Sequence, residues 1–301
     1  MISAGELKVG ARYADGALQA LTVDLQRPSV TPLFVGQLPD VVIKTVPYLF
    51  TLCAAAQRSA AQAAVNAALG EAPAALGSRE LWVEFLHESL WRLLLDWPVA
   101  VGLAPAREAF SDWRGRRNND DAAAVTLALI DAVLQPLADT CMQRLPADAT
   151  LPANVGALPA LAAEAWLAYW EGTADRLPAT PPPSSVGLAY RQRVEMVRRA
   201  ATALVEKTPY PLARAGGDGW GVGQCLTARG MLTHAVHVVD GRVARYCVRA
   251  PTDQLFADSL ALRGVLAGRG FATLADAQEA LDQAILALDP CLPYTLEVQY
   301  A

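Results

Sequence analysis

Apolar residues recur at helical spacing through LWVEFLHESLWRLLLDW. Trp82, Phe85, Leu86, Leu90, Leu93, Leu94 and Trp97 share one stripe, the kind a helix buries. The same period runs, with interruptions, from about residue 38 to 207. Asn118-Asn119-Asp120-Asp121 supplies capping side chains ahead of a helix whose apolar positions continue towards Leu145, and Pro136 predicts a kink in it. LPALAAEAWLAYWEG and YRQRVEMVRRAATALVEK read as two more helices, with LPATPPPSS (177–185) between them as a linker or surface excursion. Residues 17–35 (ALQALTVDLQRPSVTPLFV) alternate instead, and predict a small β-hairpin with Arg27-Pro28-Ser29 between its runs. After Lys207 a glycine-rich stretch, GGDGWGVGQ, leads into RGMLTHAVHVVDGRVARYCVRAPT, where Asp240-Gly241 is the two-residue turn of a second hairpin. Helices near 253–268 and 273–288 precede the tail. The expected architecture is mainly α with small β-hairpins (α+β) in a single domain over 1–301. Its helical body covers about 38–207, and the hairpin and C-terminal helices cover 208–301.

Composition narrows the class. The 301 residues are 53% hydrophobic, and alanine supplies much of that. No run reaches the roughly 18 consecutive apolar residues that suggest a membrane span. MISAGELKVGARYADG lacks a basic start followed by an apolar core, so no secretory signal is expected. Five cysteines without an export signal read as reduced thiols in the cytoplasm. Thirty acidic against 25 basic residues, net −5, argues against nucleic acid as a partner. The basic run Arg114-Gly115-Arg116-Arg117 reads as a solvated loop.

Three places carry candidate chemistry. Around the Asp240-Gly241 turn, simple pairing sets Val239 against Arg242, His234 against Cys247 and Arg229 against Thr252. Pro251 cannot donate to the ladder, so the strand end gathers a guanidinium, a hydroxyl and freed backbone groups. Such a corner either caps the hairpin or binds a small anion. In TLCAAAQRSAAQAAVNAAL, Pro47 argues against one unbroken helix and Thr51 is a plausible cap. Cys53 then lies in the first turn, where the helix dipole favours thiolate and small neighbours allow a close approach. Taken alone, it could equally be packing. Cys291 follows Asp289-Pro290 at the end of the last helix, and Tyr294 stands where a C-x-x-C loop has its second thiol. Cys141, Cys225 and Cys247 read as structural. A Cys247–His234 ligand pair is conceivable but weaker. His87-Glu88 fails as H-E-x-x-H because position 91 is Trp. GGDGWGVG lacks the Lys of a phosphate loop, and there is no G-x-S-x-G elbow.

In this order, these pieces resemble the large subunit of nickel–iron hydrogenases. In that family an early C-x-x-C and a terminal D-P-C-x-x-C supply thiolates to nickel and iron. An Arg-Gly opens a late hairpin, and a Pro-Thr or Pro-Ser closes it. Here Arg229-Gly230, His234, Asp240-Gly241 and Pro251-Thr252 stand in matching order, and Asp289-Pro290-Cys291 matches the start of the terminal motif. Gly36 precedes Cys53 by the seventeen residues often seen in the family. The first cysteine of the first pair has become Phe50, and the second cysteine of the last pair Tyr294. The histidine after the first pair is Gln57, and Glu297 replaces the histidine of the maturation cleavage point.

The pattern is similar to the HupK/HoxV type of hydrogenase assembly protein, a truncated relative of the large subunit. The resemblance implies a truncated large-subunit-like fold and a scaffold or carrier for the Fe(CN)2(CO) unit, not an enzyme. Two thiolates are too few for the nickel site. They suffice for an iron already ligated by cyanide and carbon monoxide. The resemblance further implies Cys53 and Cys291 as iron ligands, with Arg229, Pro251 and Thr252 holding the cyanides. The implied partners are maturation proteins of the HypC/HypD type and the hydrogenase large-subunit apoprotein. Whether Tyr294 or a partner thiol assists Cys291 stays open. So do two other classes: a metal-free interaction protein that mimics the large subunit, and a redox metalloenzyme.

Overall fold

Asp15 and Gly16, both at positive φ (52° and 72°), turn the first strand into the second. The computed structural model describes residues 5–73, 77–146, 155, 158–178 and 181–300. Strands β1 (Glu6–Ala14) and β2 (Ala17–Gln26) come first. Helices α1 (Pro39–Leu49), α2 (Ala54–Ala68), α3 (Ser78–Trp91), α4 (Trp97–Ala100) and α5 (Arg107–Arg116) follow. After them come α6 (Ala122–Leu129), α7 (Gln135–Arg144), α8 (Ala163–Glu171) and α9 (Val186–Glu206). Strands β3 (Leu212–Gly217), β4 (Trp220–Thr227), β5 (Gly230–Val239) and β6 (Arg242–Arg249) lead to α10 (Pro251–Leu255), α11 (Leu260–Val265), α12 (Leu274–Leu288) and β7 (Tyr294–Tyr300). The α+β expectation holds.

The first hairpin lies upstream of its expected position. Its turn is Asp15-Gly16, and Glu6 pairs with Gln26. Beyond Gln26, prolines at 28 and 32 remove ladder donors, and Thr31–Phe34 forms a 3-10 turn instead. The tail then adds β7 in parallel to β1, with Leu7 opposite Tyr294, giving the sheet order β2-β1-β7. Arg27 leaves β2, and Cys291 approaches β7, at the same end of this sheet.

The helical stripe from Trp82 to Trp97 is buried throughout. Pro98 and Pro136 each follow a π turn, Arg92–Asp96 and Ile130–Leu134. A proline cannot donate to the carbonyl four residues back and crowds it, and the wider turn relieves both faults. The expected kink at Pro136 therefore takes this form. α1 runs through Pro47 and stops at Leu49, and the chain then bends by 101° into Thr51–Ala68. The helix expected near 253–268 is two short ones, α10 and α11. Of the 177–185 stretch, 179–180 lie outside the described residues, and Ser185 caps α9 by accepting the Leu188 N–H at 3.0 Å. Among the described residues one helical run, Ala122–Arg144, is long and apolar enough to cross a membrane by length and composition, although no unbroken apolar run spans it. Its Leu129, Ile130, Leu134, Ala138 and Cys141 belong to the main core.

The glycine-rich stretch is itself a hairpin, turning at Asp218-Gly219, and the second sheet is the meander β3-β4-β5-β6. A bulge between His237 and Val238 slips its last register by one. Val239 still faces Arg242, but His234 faces Val248 and Cys247 faces Ala235. The expected His234–Cys247 and Arg229–Thr252 oppositions are thus corrected. Arg229 sits in the β4–β5 turn, and Thr252 in the first turn of α10. Helix α2 lies across β4 at backbone contact. A Cβ added to Gly223 would come within 2.1 Å of the Ala60 carbonyl oxygen, and one on Gly221 within 2.0 Å of that of Ala64. The alanines further along α2, Ala60 and Ala64, therefore admit a strand.

Gly223→Ala should destabilise the fold by about 3 kcal/mol or more in urea denaturation. The same change at Gly264 in α11, whose added Cβ meets nothing, should be neutral or stabilising.

Candidate functional site

Cys53 is the residue from which α2 starts. The expected Thr51 cap is absent. The helix is capped from outside by Glu84 of α3, which accepts the Ala55 N–H at 2.7 Å and the Ala56 N–H at 2.9 Å. Burial, and then the Glu84 carboxylate, push the Cys53 thiol up to about 12. In the metal-free chain this outweighs the helix dipole, which favours thiolate there. Gln57, one turn on, donates to Cys53 Sγ at 3.6 Å.

Cys291 lies between α12 and β7. Its Sγ accepts from Arg27 Nη2 at 2.8 Å and from Thr252 Oγ1 at 3.2 Å, while its own N–H donates to Thr252 Oγ1 at 3.1 Å. The other Arg27 nitrogen pairs with Asp253 Oδ1 at 3.1 Å. This sulfur faces a cation and a hydroxyl, whereas Cys53 faces an amide and lies near a carboxylate.

Arg229 is pinned behind both. Its Nη2 donates to Glu88 Oε2 at 3.0 Å, and its Nε lies 3.5 Å from Asp289 Oδ1. Asp289, 1% exposed, also accepts from Arg92 Nε at 2.7 Å through Oδ1, and its Oδ2 is ion-paired with Arg193 Nη2 at 2.8 Å. Burial alone would raise the Asp289 carboxyl, but the three guanidinium groups hold it down at about 2.

Cys53, Cys291, Arg229, Pro251 and Thr252 all line one cavity of about 420 Å³, so the structure brings every expected site residue together. Phe50, in place of a family cysteine, gives the same cavity an apolar wall. Tyr294 does not join it. Its hydroxyl donates to Asp282 Oδ1 at 2.6 Å in a separate, larger cavity of about 1230 Å³. That cavity contains neither cysteine. Among the described residues no group of three or more His, Cys, Asp or Glu is placed to hold a metal ion. Cys247 and His234 lie on opposite faces of the meander: Cys247 packs towards Trp166, and His234 bonds Gln57. All five cysteines are free thiols.

Sequence reasoning missed Arg27, taken as part of a turn, and the acidic and basic residues beneath the cavity. A signal was available. Glu84 and Glu88 on α3 and Arg92 just after it stand at four-residue spacing, a charged line on a helical run otherwise read by its apolar stripe.

No family profile matches the chain. The fold is similar to that of the nickel–iron–selenium hydrogenase of Desulfovibrio vulgaris Hildenborough, with a TM-score of 0.66 at 12% identity over 93% of this chain and 94% of that one. The architecture is therefore that of a nickel–iron hydrogenase large subunit. The chain is 32% identical to the hydrogenase expression/formation protein HupK of Azotobacter vinelandii, over 99% of its own length and 100% of the relative's. It is 26% identical to the expression/formation protein HoxV of Cupriavidus necator, over 90% and 94%. It belongs to the HupK family of hydrogenase expression/formation proteins.

Asp289→Asn should cost about 3–5 kcal/mol, because it leaves buried guanidinium charge uncompensated. With its carboxyl held near 2 against 3.8 unfolded, Asp289 contributes stability that is full above about pH 4 and lost as pH falls through about 2. Unfolding titrations from pH 5 to 2 should show this share, about 2 kcal/mol, in the native chain and not in the variant.

Proposed function

We propose that this chain serves the maturation of a nickel–iron hydrogenase by carrying the Fe(CN)2(CO) unit, not by catalysis. The observation that supports it best is the convergence of two thiols from opposite ends of the chain on one cavity with a buried arginine. Cys53 and Cys291 are the iron ligands. Arg229, with the Pro251-Thr252 corner, faces the cyanides, and Phe50 and Leu232 offer an apolar wall to carbon monoxide. Thr252 has a further task, since its hydroxyl binds both the N–H and the sulfur of Cys291. No nickel is carried, because two thiolates do not complete its site.

Loading releases protons, and unloading returns them. The donor is a complex of the HypC/HypD type, the acceptor is the hydrogenase large-subunit apoprotein, and the exchange takes place in the cytoplasm.

The chain purified after co-expression with maturation proteins should show metal-bound cyanide and carbon monoxide stretches in the infrared. Cys53→Ser and Cys291→Ser should each abolish those bands and block hydrogenase maturation. Full maturation supported by both variants would favour the metal-free mimic instead, and hydrogen turnover by the isolated chain would favour the enzyme.

A further inference from the structure

Three buried polar side chains beside the cavity form a chain of hydrogen bonds that ends on Cys53. Gln57 turns its amide nitrogen towards Cys53 Sγ and its amide oxygen to His234 Nε2, 2.8 Å away. An amide oxygen only accepts, so His234 carries its proton on Nε2. The other ring nitrogen, Nδ1, is then a bare acceptor, and it meets the Tyr246 hydroxyl, which donates. Every link points the same way, from Tyr246 through His234 and Gln57 to the sulfur. His234 has no exposure, Gln57 2% and Tyr246 6%, so the relay runs through the interior, from the apolar cluster that packs Tyr246 with Phe34 and Val42 to the cavity wall. Burial keeps His234 neutral, with its pKa down at about 3, as one donor and one acceptor require.

We infer that Gln57, His234 and Tyr246 are positioning residues that commit the Cys53 sulfur to accepting, as a metal-bound thiolate does. The relay offers that sulfur a donor and no acceptor for a thiol proton. Each bond polarises the next, so the Tyr246 hydroxyl influences a sulfur it does not touch. The inference rests on reading Cys53 as a metal ligand. It supplies for Cys53 what Arg27 and Thr252 supply for Cys291, through neutral groups instead of a charge.

Co²⁺ alone is the probe, added to the full chain and followed by its thiolate-to-metal absorption. Gln57→Leu should weaken Co²⁺ binding about 10–100-fold, the usual cost of losing a group that orients a ligand. Tyr246→Phe should weaken it by a smaller factor, although its hydroxyl lies two residues back along the relay. Nitrogen NMR of His234 in the unsubstituted chain should place the ring proton on Nε2. A proton on Nδ1, or Gln57→Leu binding Co²⁺ as tightly as the native chain while Cys53→Ser loses it, would overturn this inference alone. Co²⁺ absorption that survives in Cys53→Ser would overturn the metal-ligand reading and this inference with it.

Discussion

The Asp289 carboxylate, 1% exposed, meets guanidinium groups from three separate elements: Arg92 after α3, Arg193 on α9 and Arg229 in the β4–β5 turn. A charge taken that far from water is tolerated only with partners at hydrogen-bond range, and losing one partner strands the others. The ends of α3 and α12, the middle of α9 and a sheet turn are therefore fixed relative to one another. Asp289 also ends α12 in the left-handed region, at φ 49°, which an aspartate tolerates better than a branched residue. Pro290, without an N–H, prevents the helix from resuming. The D-P-C run thus carries three distinct jobs: a charge anchor, a helix stop and a sulfur aimed into the cavity.

Around that anchor the two sulfurs are held by different means. Cys53 is placed by shape, since α2 can approach β4 only because Gly221 and Gly223 face it without side chains. Glu84 then caps the helix start. Cys291 is placed by pairing, since β7 lies parallel to β1 and brings the tail beside the end of β2, where Arg27 waits. With Arg229 behind both, one sulfur accepts from a buried amide near the Glu84 carboxylate, the other from a second cation and a hydroxyl. The positions of the two absent family thiols have diverged as well. Phe50 still walls the cavity, while Tyr294 has turned away to Asp282.

Much of this site was legible as order along the chain and little of it as contact. Arg229, Pro251-Thr252 and Asp289-Pro290-Cys291 could be picked out by spacing; Arg229, Pro251, Thr252 and Cys291 line the cavity, while Asp289 pairs with the arginines beneath it. Arg27 could not, because nothing near it in sequence mentions Cys291. The hairpin register failed by one residue, because a bulge at His237–Val238 leaves no clear mark among β-branched neighbours. The first hairpin failed through attention to the alternation after residue 17, although Asp15-Gly16 carries the same turn signal as Asp240-Gly241.

By itself the sequence determined what depends on neighbours: the apolar stripe from Trp82 to Trp97, the Asp-Gly turns, the proline disruptions and the small-residue faces of α2 and β4. These follow from backbone sterics and the helical and strand periods, which act within a few residues. Only the tertiary structure decided which sulfur received a cation, which received a neutral relay, and which carboxylate gathered the arginines. Those outcomes depend on burial and on charges brought together from distant segments, and both take their values only once the chain has closed on itself.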